Sequence, residues 1–374
     1  MHVLSALGRA AIGLPFFTAT VVTALLASPV SANEALKWND TTVRAAGVAG
    51  QNPIQQTRTV AMVQAAVHDA LNAIKPRYAA YYFEGPAAPG AAPEAAVAAA
   101  SHTVLMAVLP AFGTPQQQSE AKASVEEAYR TALSAVPDGQ AKQDGVAAGR
   151  AAGEAMLALR KDDGATRSAP YTPASSPGRW RPHPNPDPPN PPIRDAKLAP
   201  GFAYSVLPGW GNVTPFTLLS ASQYWLPGPP ALSSPEYARD FNEVKSLGGQ
   251  VSAARTAEQT EIARFWFQGP SAWYRIARVA SEGRKLDLWD SARVLGAVSL
   301  AMADSYIAGF KIRYVYDFWR PVTAIRGSRR RQRRNCCRPR MEQSAEHSSG
   351  VGLSFHAKPV QWRGGCSACR RLRY

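Results

Sequence analysis

The chain has 374 residues, 45% of them hydrophobic, enough for one large globular unit or two ordinary domains with a sizeable core. Its net charge of +15 invites a nucleic-acid reading, but residues 327–374 hold 11 Arg and one Lys against Glu342 and Glu346, so +10 sits there and +5 in the remainder. All four cysteines (Cys336, Cys337, Cys366, Cys369) fall in the same stretch, which excludes a disulfide framework for everything before it.

The first 32 residues combine a basic start at Arg9, an apolar stretch, and small residues at Ser31 and Ala32, the pattern of a secretory signal peptide cleaved near Ala32. An amino-terminal membrane anchor is the alternative. Export implies a secreted or periplasmic protein. No later segment reads as an unbroken apolar span, so the mature chain is expected to lack a membrane crossing. Val60, Val63, Val67, Leu71 and Ile74 recur at helical spacing and predict a helix over 59–74. His68 and Asp69 lie inside it, where a His-Asp pair is more often an interior bonded pair than a catalytic one. Alanine-rich helices are predicted over about 91–110, 115–136 and 139–160.

Residues 170–230 carry 16 of the 31 prolines, including "RPHPNPDPPNPP" at 181–192, so 168–232 is predicted to be extended. "LPGWGNVTPF" (207–216) and Trp225 place large apolar surface along it. A free linker has little reason to carry such surface, so the segment is expected to pack across the helical body and wall a cavity. Helices then resume. Thr256 and Gln259 stand in capping-box spacing, and Ile262, Phe265, Trp266, Trp273 and Ile276 form a broad apolar face interrupted at Gly269-Pro270. A further helix is predicted from about Asp287 to Tyr316, with Pro321 at or just past its end. Nothing alternates with the period of a strand. The fold class is therefore all-α, a multi-helix bundle over 33–326 with the extended segment packed on it.

Arg313 and Arg320 are seven residues apart, about two helical turns, and so lie on nearly one face. Guanidinium forks suit tetrahedral oxyanions, and the aromatic neighbours in "KIRYVYDFWRPVTAIR" (311–326) exclude water and strengthen each bond. Surface arginines lying over an aromatic patch are the bland alternative.

The stretch "RYVYDFWRPVTAIR" resembles the first signature of the superfamily joining vanadium-dependent haloperoxidases to type 2 phosphatidic acid phosphatases, in which Lys, six residues and Arg-Pro follow one another. The likeness extends upstream through 258–281, "PGWGNVTPF" and "MVQAAVHDALNAI", and covers most of 37–326. It implies an all-α bundle and a cage of Lys and Arg donors around phosphate or its isostere vanadate. It also implies one histidine that attacks phosphorus or ligates vanadium and a second that serves as acid and base. Cofactor would be vanadate in a haloperoxidase, with halide and peroxide as substrates, and none in a phosphatase acting on a phosphate ester. Arg320 matches the family arginine. Arg313 stands in the lysine slot, and Lys311, two residues early, is the third candidate donor to the oxyanion. A fork there replaces a point donor, which weakens the expectation of tight vanadate binding.

The family's histidine signatures do not follow. After Arg326 the composition changes to a basic, cysteine-bearing tail (327–374), expected to be disordered and either a truncated end or the product of a reading-frame slip. Read one base later, arginine codons of the CGN type begin with G and give Ala, Asp, Glu, Gly or Val. Ser354-Phe355-His356 reproduces a Ser-x-His spacing, which makes His356 a candidate nucleophile remnant, although a chance match explains it as well. The paired cysteines lack the usual zinc spacing at Cys336-Cys337, so no metal site is expected. "RRRQRR" would attract polyanions by charge alone, without specific nucleic-acid recognition. Three functions follow: an exported haloperoxidase or phosphatase relative with little turnover, a non-catalytic oxyanion-binding scaffold, or a basic-tailed nucleic-acid binder. The signal peptide speaks against the last. Choice of halide or ester, and oligomeric state, are not legible.

Overall fold

Asn52 accepts hydrogen bonds from the N–H groups of Ile54 and Gln55, the Gln55 side chain accepts one from Asn52, and Pro53 fills the first helical position. These caps start α2 (Pro53–Ile74) ahead of the apolar period that begins at Thr59. The computed structural model describes residues 33–167, 169–184, 202–203 and 207–336, with side chains to Ser328 apart from those of 183–184 and 202–203. Residues 1–32, and with them the signal-peptide expectation, lie outside the described part, as do His356, Cys337, Cys366 and Cys369.

α2 is the hub. Val60, Ala61, Met62, Val63, Ala66, Val67, Ala70 and Leu71 are all buried, so apolar side chains surround the helix on every side. It packs against α1 (Glu34–Val48), α3 (Pro93–Val108), α5 (Gln140–Leu159), α8 (Pro270–Gly283) and α9 (Leu288–Tyr316). α4 (Pro115–Ser134) lies on α1 and α3. α6 (Pro235–Leu247), α7 (Ala257–Trp266) and α10 (Pro321–Cys336) complete the helices among the described residues. The all-α expectation holds. One departure is a two-residue antiparallel pair in the extended segment, β1 (His183–Pro184) with β2 (Phe202–Ala203).

α3 and α5 meet through backbone. A methyl group at Gly145 would stand 2.3 Å from the Ala92 carbonyl oxygen, and one at Gly149 would stand 2.2 Å from that of Ala96, inside any allowed contact. The alanine-rich composition of both helices is what permits this approach.

Two helices depart from the expected absence of a membrane-length segment. Pro93–Ala111, which is α3 with the 3-10 turn after it, and α9 are each long and apolar enough to cross a membrane. Both are core helices of the bundle, and α9 carries the buried carboxylate of Asp304 inward. The predicted apolar face of α7 and α8 also departs from expectation. Ile262, Phe265, Trp266, Trp273 and Ile276 are 37–51% exposed, because α8 seats its opposite face, Tyr274, Ala277 and Ser281, on the bundle. α10 continues to Cys336, past the composition change at 327 that was expected to begin a disordered tail.

The extended segment does lie across the helices, held by one buried anion and one buried cation. Asp304 accepts from the N–H groups of Phe216 (2.6 Å), Thr217 (2.7 Å) and Leu218 (3.0 Å) and from the Thr217 hydroxyl (2.6 Å). Arg160 donates to the carbonyls of Thr214 (2.6 Å) and Pro215 (3.3 Å), and its guanidinium lies 3.9 Å from the Phe216 ring centroid. Asp163 anchors Arg160 at 2.8 Å and Arg58 at 2.7 Å. Tyr81 adds a hydroxyl bond to the Phe216 carbonyl at 2.8 Å.

Two predictions follow from this anchorage. Asp304→Ala strands three backbone donors and is expected to lower stability by about 2–4 kcal/mol, read from urea denaturation. Burial, foremost, pushes the Tyr81 hydroxyl up to about 12 from 10.0. The folded state thus keeps a proton that the unfolded chain releases, so this contribution is complete below about pH 10 and fades as pH climbs towards 12. Tyr81→Phe should cost about 1 kcal/mol at neutral pH through the lost hydrogen bond and make the alkaline decline shallower in the same titration.

Candidate oxyanion site

α9 runs 29 residues from its cap at Asp287 to Asp317, where the chain turns into left-handed backbone (φ 48°, ψ 42°). An aspartate tolerates that conformation better than most side chains. Residues 318–320 then pass in non-helical backbone to Pro321, the first residue of α10. The predicted break between Tyr316 and Pro321 is therefore real, and it contains Arg320.

The extended segment fixes this break. Trp180 N–H donates to the Asp317 carbonyl (2.8 Å), Trp319 N–H donates to the Gly178 carbonyl (2.9 Å), and Arg179 pairs with Phe318 as an isolated antiparallel bridge. Gly178 has φ +85°, a conformation only glycine adopts readily, and Leu232 closes over it. The Asp317 carboxylate takes a hydrogen bond from the Tyr171 hydroxyl and an ion pair from Arg179 Nε at 3.3 Å. Burial, followed by that bond, pushes the Tyr171 hydroxyl well above its ordinary range. Tyr171 also stands edge-on to Trp180 (5.6 Å) and Tyr314 (5.1 Å).

Arg313 and Arg320 come together around this aromatic cluster. The Arg313 guanidinium lies 5.3 Å from the Phe310 ring and 5.5 Å from the Tyr314 ring. Burial lowers the pKa of Arg320, and repulsion from Arg313 lowers it further. The Tyr314 hydroxyl is pushed up by burial, with both guanidiniums pulling against it. Arg320 is nevertheless exposed by surface area. Both hold for a cation whose inner part is crowded by surrounding atoms while its outer part stays reachable by a small solute. Neither guanidinium has a hydrogen-bond or ion-pair partner among the described residues, because Asp317 is committed to Tyr171 and Arg179. The first turn of α10 adds the buried Thr323 hydroxyl, which has no hydrogen bond there. Lys311 does not join them. Its Nζ donates to Asn212 at 3.0 Å, and its backbone presses on Gly211 of the 3-10 turn Trp210–Asn212.

The histidines with described side chains serve elsewhere. His68 Nε2 lies 3.0 Å from the Ala79 carbonyl and 3.0 Å from the Asn72 amide, while Asp69 accepts from the N–H groups of Tyr81, Tyr82 and Phe83. The structural reading of that pair stands. His102 meets Glu126 at 3.0 Å and stacks on Tyr129. No cluster of three metal-binding side chains occurs among the described residues. Sequence reasoning missed Asp317, Tyr171 and Arg179. Only Asp317 had a signal, as a turn-forming residue between a helix and Arg-Pro.

Asp317 gives a test of this geometry. Asp317→Ala loses both side-chain bonds and strains the left-handed turn, whereas Asp317→Gly loses the bonds alone. The alanine variant is expected to be less stable than the glycine variant by about 1 kcal/mol in thermal or urea unfolding.

Residues 31–194 match the vanadium chloroperoxidase N-terminal domain. The fold is similar to that of a solved bacterial vanadium-dependent iodoperoxidase, with 21% identity, a TM-score of 0.60, and coverage of 80% of this chain and 74% of that one. It is also similar to the apo and holo forms of a bacterial vanadium-dependent chloroperoxidase, each at 19% identity and a TM-score of 0.54. These alignments cover 74% and 77% of this chain and 66% and 67% of theirs. No curated protein sequence matches the chain.

Proposed function

We propose that this chain, whose residues 31–194 match the vanadium chloroperoxidase N-terminal domain and whose fold is similar to that of bacterial vanadium haloperoxidases, holds a tetrahedral oxyanion between Arg313 and Arg320. The observation that carries the reading is two neighbouring guanidiniums without a counter-charge among the described residues, of which Arg320 is partly dehydrated by its surroundings. Vanadate or phosphate would supply the missing negative charge. The donor set fits such a group in part: two planar forks and the Thr323 hydroxyl at the start of α10, with Tyr314 and Phe310 as apolar wall.

Arg320 binds and orients, and Arg313 adds charge from the last turn of α9. The chemistry a bound vanadate supplies in this family is activation of peroxide for halide oxidation. Proton transfer at the site needs a group that titrates near neutrality, and neither His68 nor His102 is placed for it. His356 and the rest of the tail lie beyond the described residues. Binding without appreciable turnover, the expectation from a sequence in which the family's histidine signatures do not follow Arg326, is the activity proposed, with halide and peroxide as the co-substrates of any residual oxidation. Export, read from residues 1–32, belongs to the same proposal.

Titration with orthovanadate or phosphate tests the reading. Arg320→Ala is expected to weaken binding about 10- to 100-fold, the loss of one charged hydrogen-bonding partner. Arg313→Ala should weaken it similarly, and Arg313→Lys should keep it by restoring a cation of the family type. Unchanged affinity in Arg320→Ala would overturn the assignment. A peroxide-dependent iodide oxidation assay should register negligible turnover in the parent chain.

A further inference from the structure

Of the ten residues of α7, nine are exposed and Thr260 is half-buried. A helix of that length is marginal in water without tertiary packing, since isolated helices shorter than about 12–15 residues barely form. Its capping box secures the start, and its rings reach across the following turn to α8: Phe265 stands edge-on to Trp266 at 5.0 Å, and Trp266 tilts over Trp273 at 5.4 Å. Phe267, 92% exposed, stands at that turn, and Ile262 and Ile276 extend the surface at helical spacing along α7 and α8. The result is one apolar face over two helices that nothing among the described residues covers.

We propose that this face is the contact between two copies of the chain, a two-fold dimer in which α7 and α8 of one protomer lie against the same helices of its partner. Area is the first reason. The four rings, each worth about 150–250 Å² when wholly buried and here 37–92% exposed, leave roughly 300–550 Å² of aromatic surface outside. A standard interface takes about 800 Å² from each partner, a little over half of it apolar, so the face supplies what one copy must bring. Tryptophan and phenylalanine are also residue types enriched in such contacts. Charge is the second reason. Residues 257–283 set Glu258, Glu261 and Glu282 against Arg264, Arg275 and Arg278, so two identical faces meet without net repulsion. The same balance disfavours other occupants. A strongly basic segment such as 327–374 gains no net attraction there, and helices that lie on anionic membranes carry an excess of Lys and Arg. A partner copy would also give α7 the packing it lacks. The inference does not rest on the oxyanion reading, because all six side chains belong to α7, α8 and the turn between them, not to the end of α9.

Sedimentation equilibrium of the full chain, with hydrogen exchange of α7 measured across the same concentrations, tests it. The parent should dimerise with a dissociation constant of micromolar order or tighter, and the amides of α7 should be protected only in the dimer. Phe267→Glu, at a side chain that supports no core, should weaken dimerisation at least tenfold and return α7 to fast exchange. Its circular dichroism should differ from the parent's by no more than one short helix. Leu219→Glu, comparably exposed (93%) but outside the face, should leave both readings unchanged. A parent that stays monomeric at about 100 µM, well above such a constant, would overturn the proposal. A dimer indifferent to both Phe267→Glu and Trp266→Glu would do the same. So would a monomer with protected α7 amides, which assigns the face to another part of the chain. A monomer that binds phosphatidylglycerol vesicles and loses them in Phe267→Glu would assign it to a membrane and equally overturn the dimer.

Discussion

Two guanidiniums of like charge sit side by side without a carboxylate of their own among the described residues, and most of what surrounds them exists to keep them there. Such a pair is unfavourable by itself: Arg320 loses hydration and is repelled by Arg313. A folded chain usually relieves this with a nearby acid. Here the acid at hand, Asp317, lies between them in sequence and is bound instead to Tyr171 and Arg179. The unsatisfied charge is consequently a property of the fold rather than of a mobile surface.

Elsewhere the molecule treats charge in the opposite way. Asp69, Asp304, Asp163 and Arg160 are all nearly inaccessible, and each is saturated by backbone or by a partner. Asp304 takes amide hydrogens and Arg160 takes carbonyl oxygens of adjoining residues in one extended strip. This pairing replaces the ladder that a proline-rich strip cannot form for itself. A cavity of about 450 Å³ opens beside Arg160 and Asp163, yet its charges are matched, so it lacks the electrostatic demand of the Arg313–Arg320 pair.

Much of the helical body was legible because its signals are local. Apolar period gave the body and end of α2, alanine-rich composition gave α3, α4 and α5, the span ahead of Pro321 gave α9, and the Thr256–Gln259 box marked the start of α7 where it is seen. The beginning of α2 was readable too, in Asn52-Pro53 and Gln55, but an apolar count starting at Thr59 overlooked it. At the site, the reading of Arg313 and Arg320 as two turns of one helix face does not hold, because α9 ends at Tyr316 and Arg320 stands in non-helical backbone, where repulsion from Arg313 still reaches it. Lys311, the third candidate donor, is instead turned toward Asn212. Composition could say that 168–232 is extended. It could not say where it lies, since Asp304 is almost 90 residues from the amides it binds and nothing local links them. The outward face of α7 and α8 misled for a related reason: an amphipathic stripe announces that one side is apolar, while the partner that covers it is not written in the helix itself.

The seam between α3 and α5 reaches further than its position suggests. Where carbonyl oxygens press on bare α-carbons there is no rotamer through which the joint could yield, so these two helices behave as one stiff block. α2 is seated on that block, and α9 is seated on α2. The placing of the cationic end of α9 is thus gauged against tolerances smaller than a methyl group in a part of the molecule that never meets the anion.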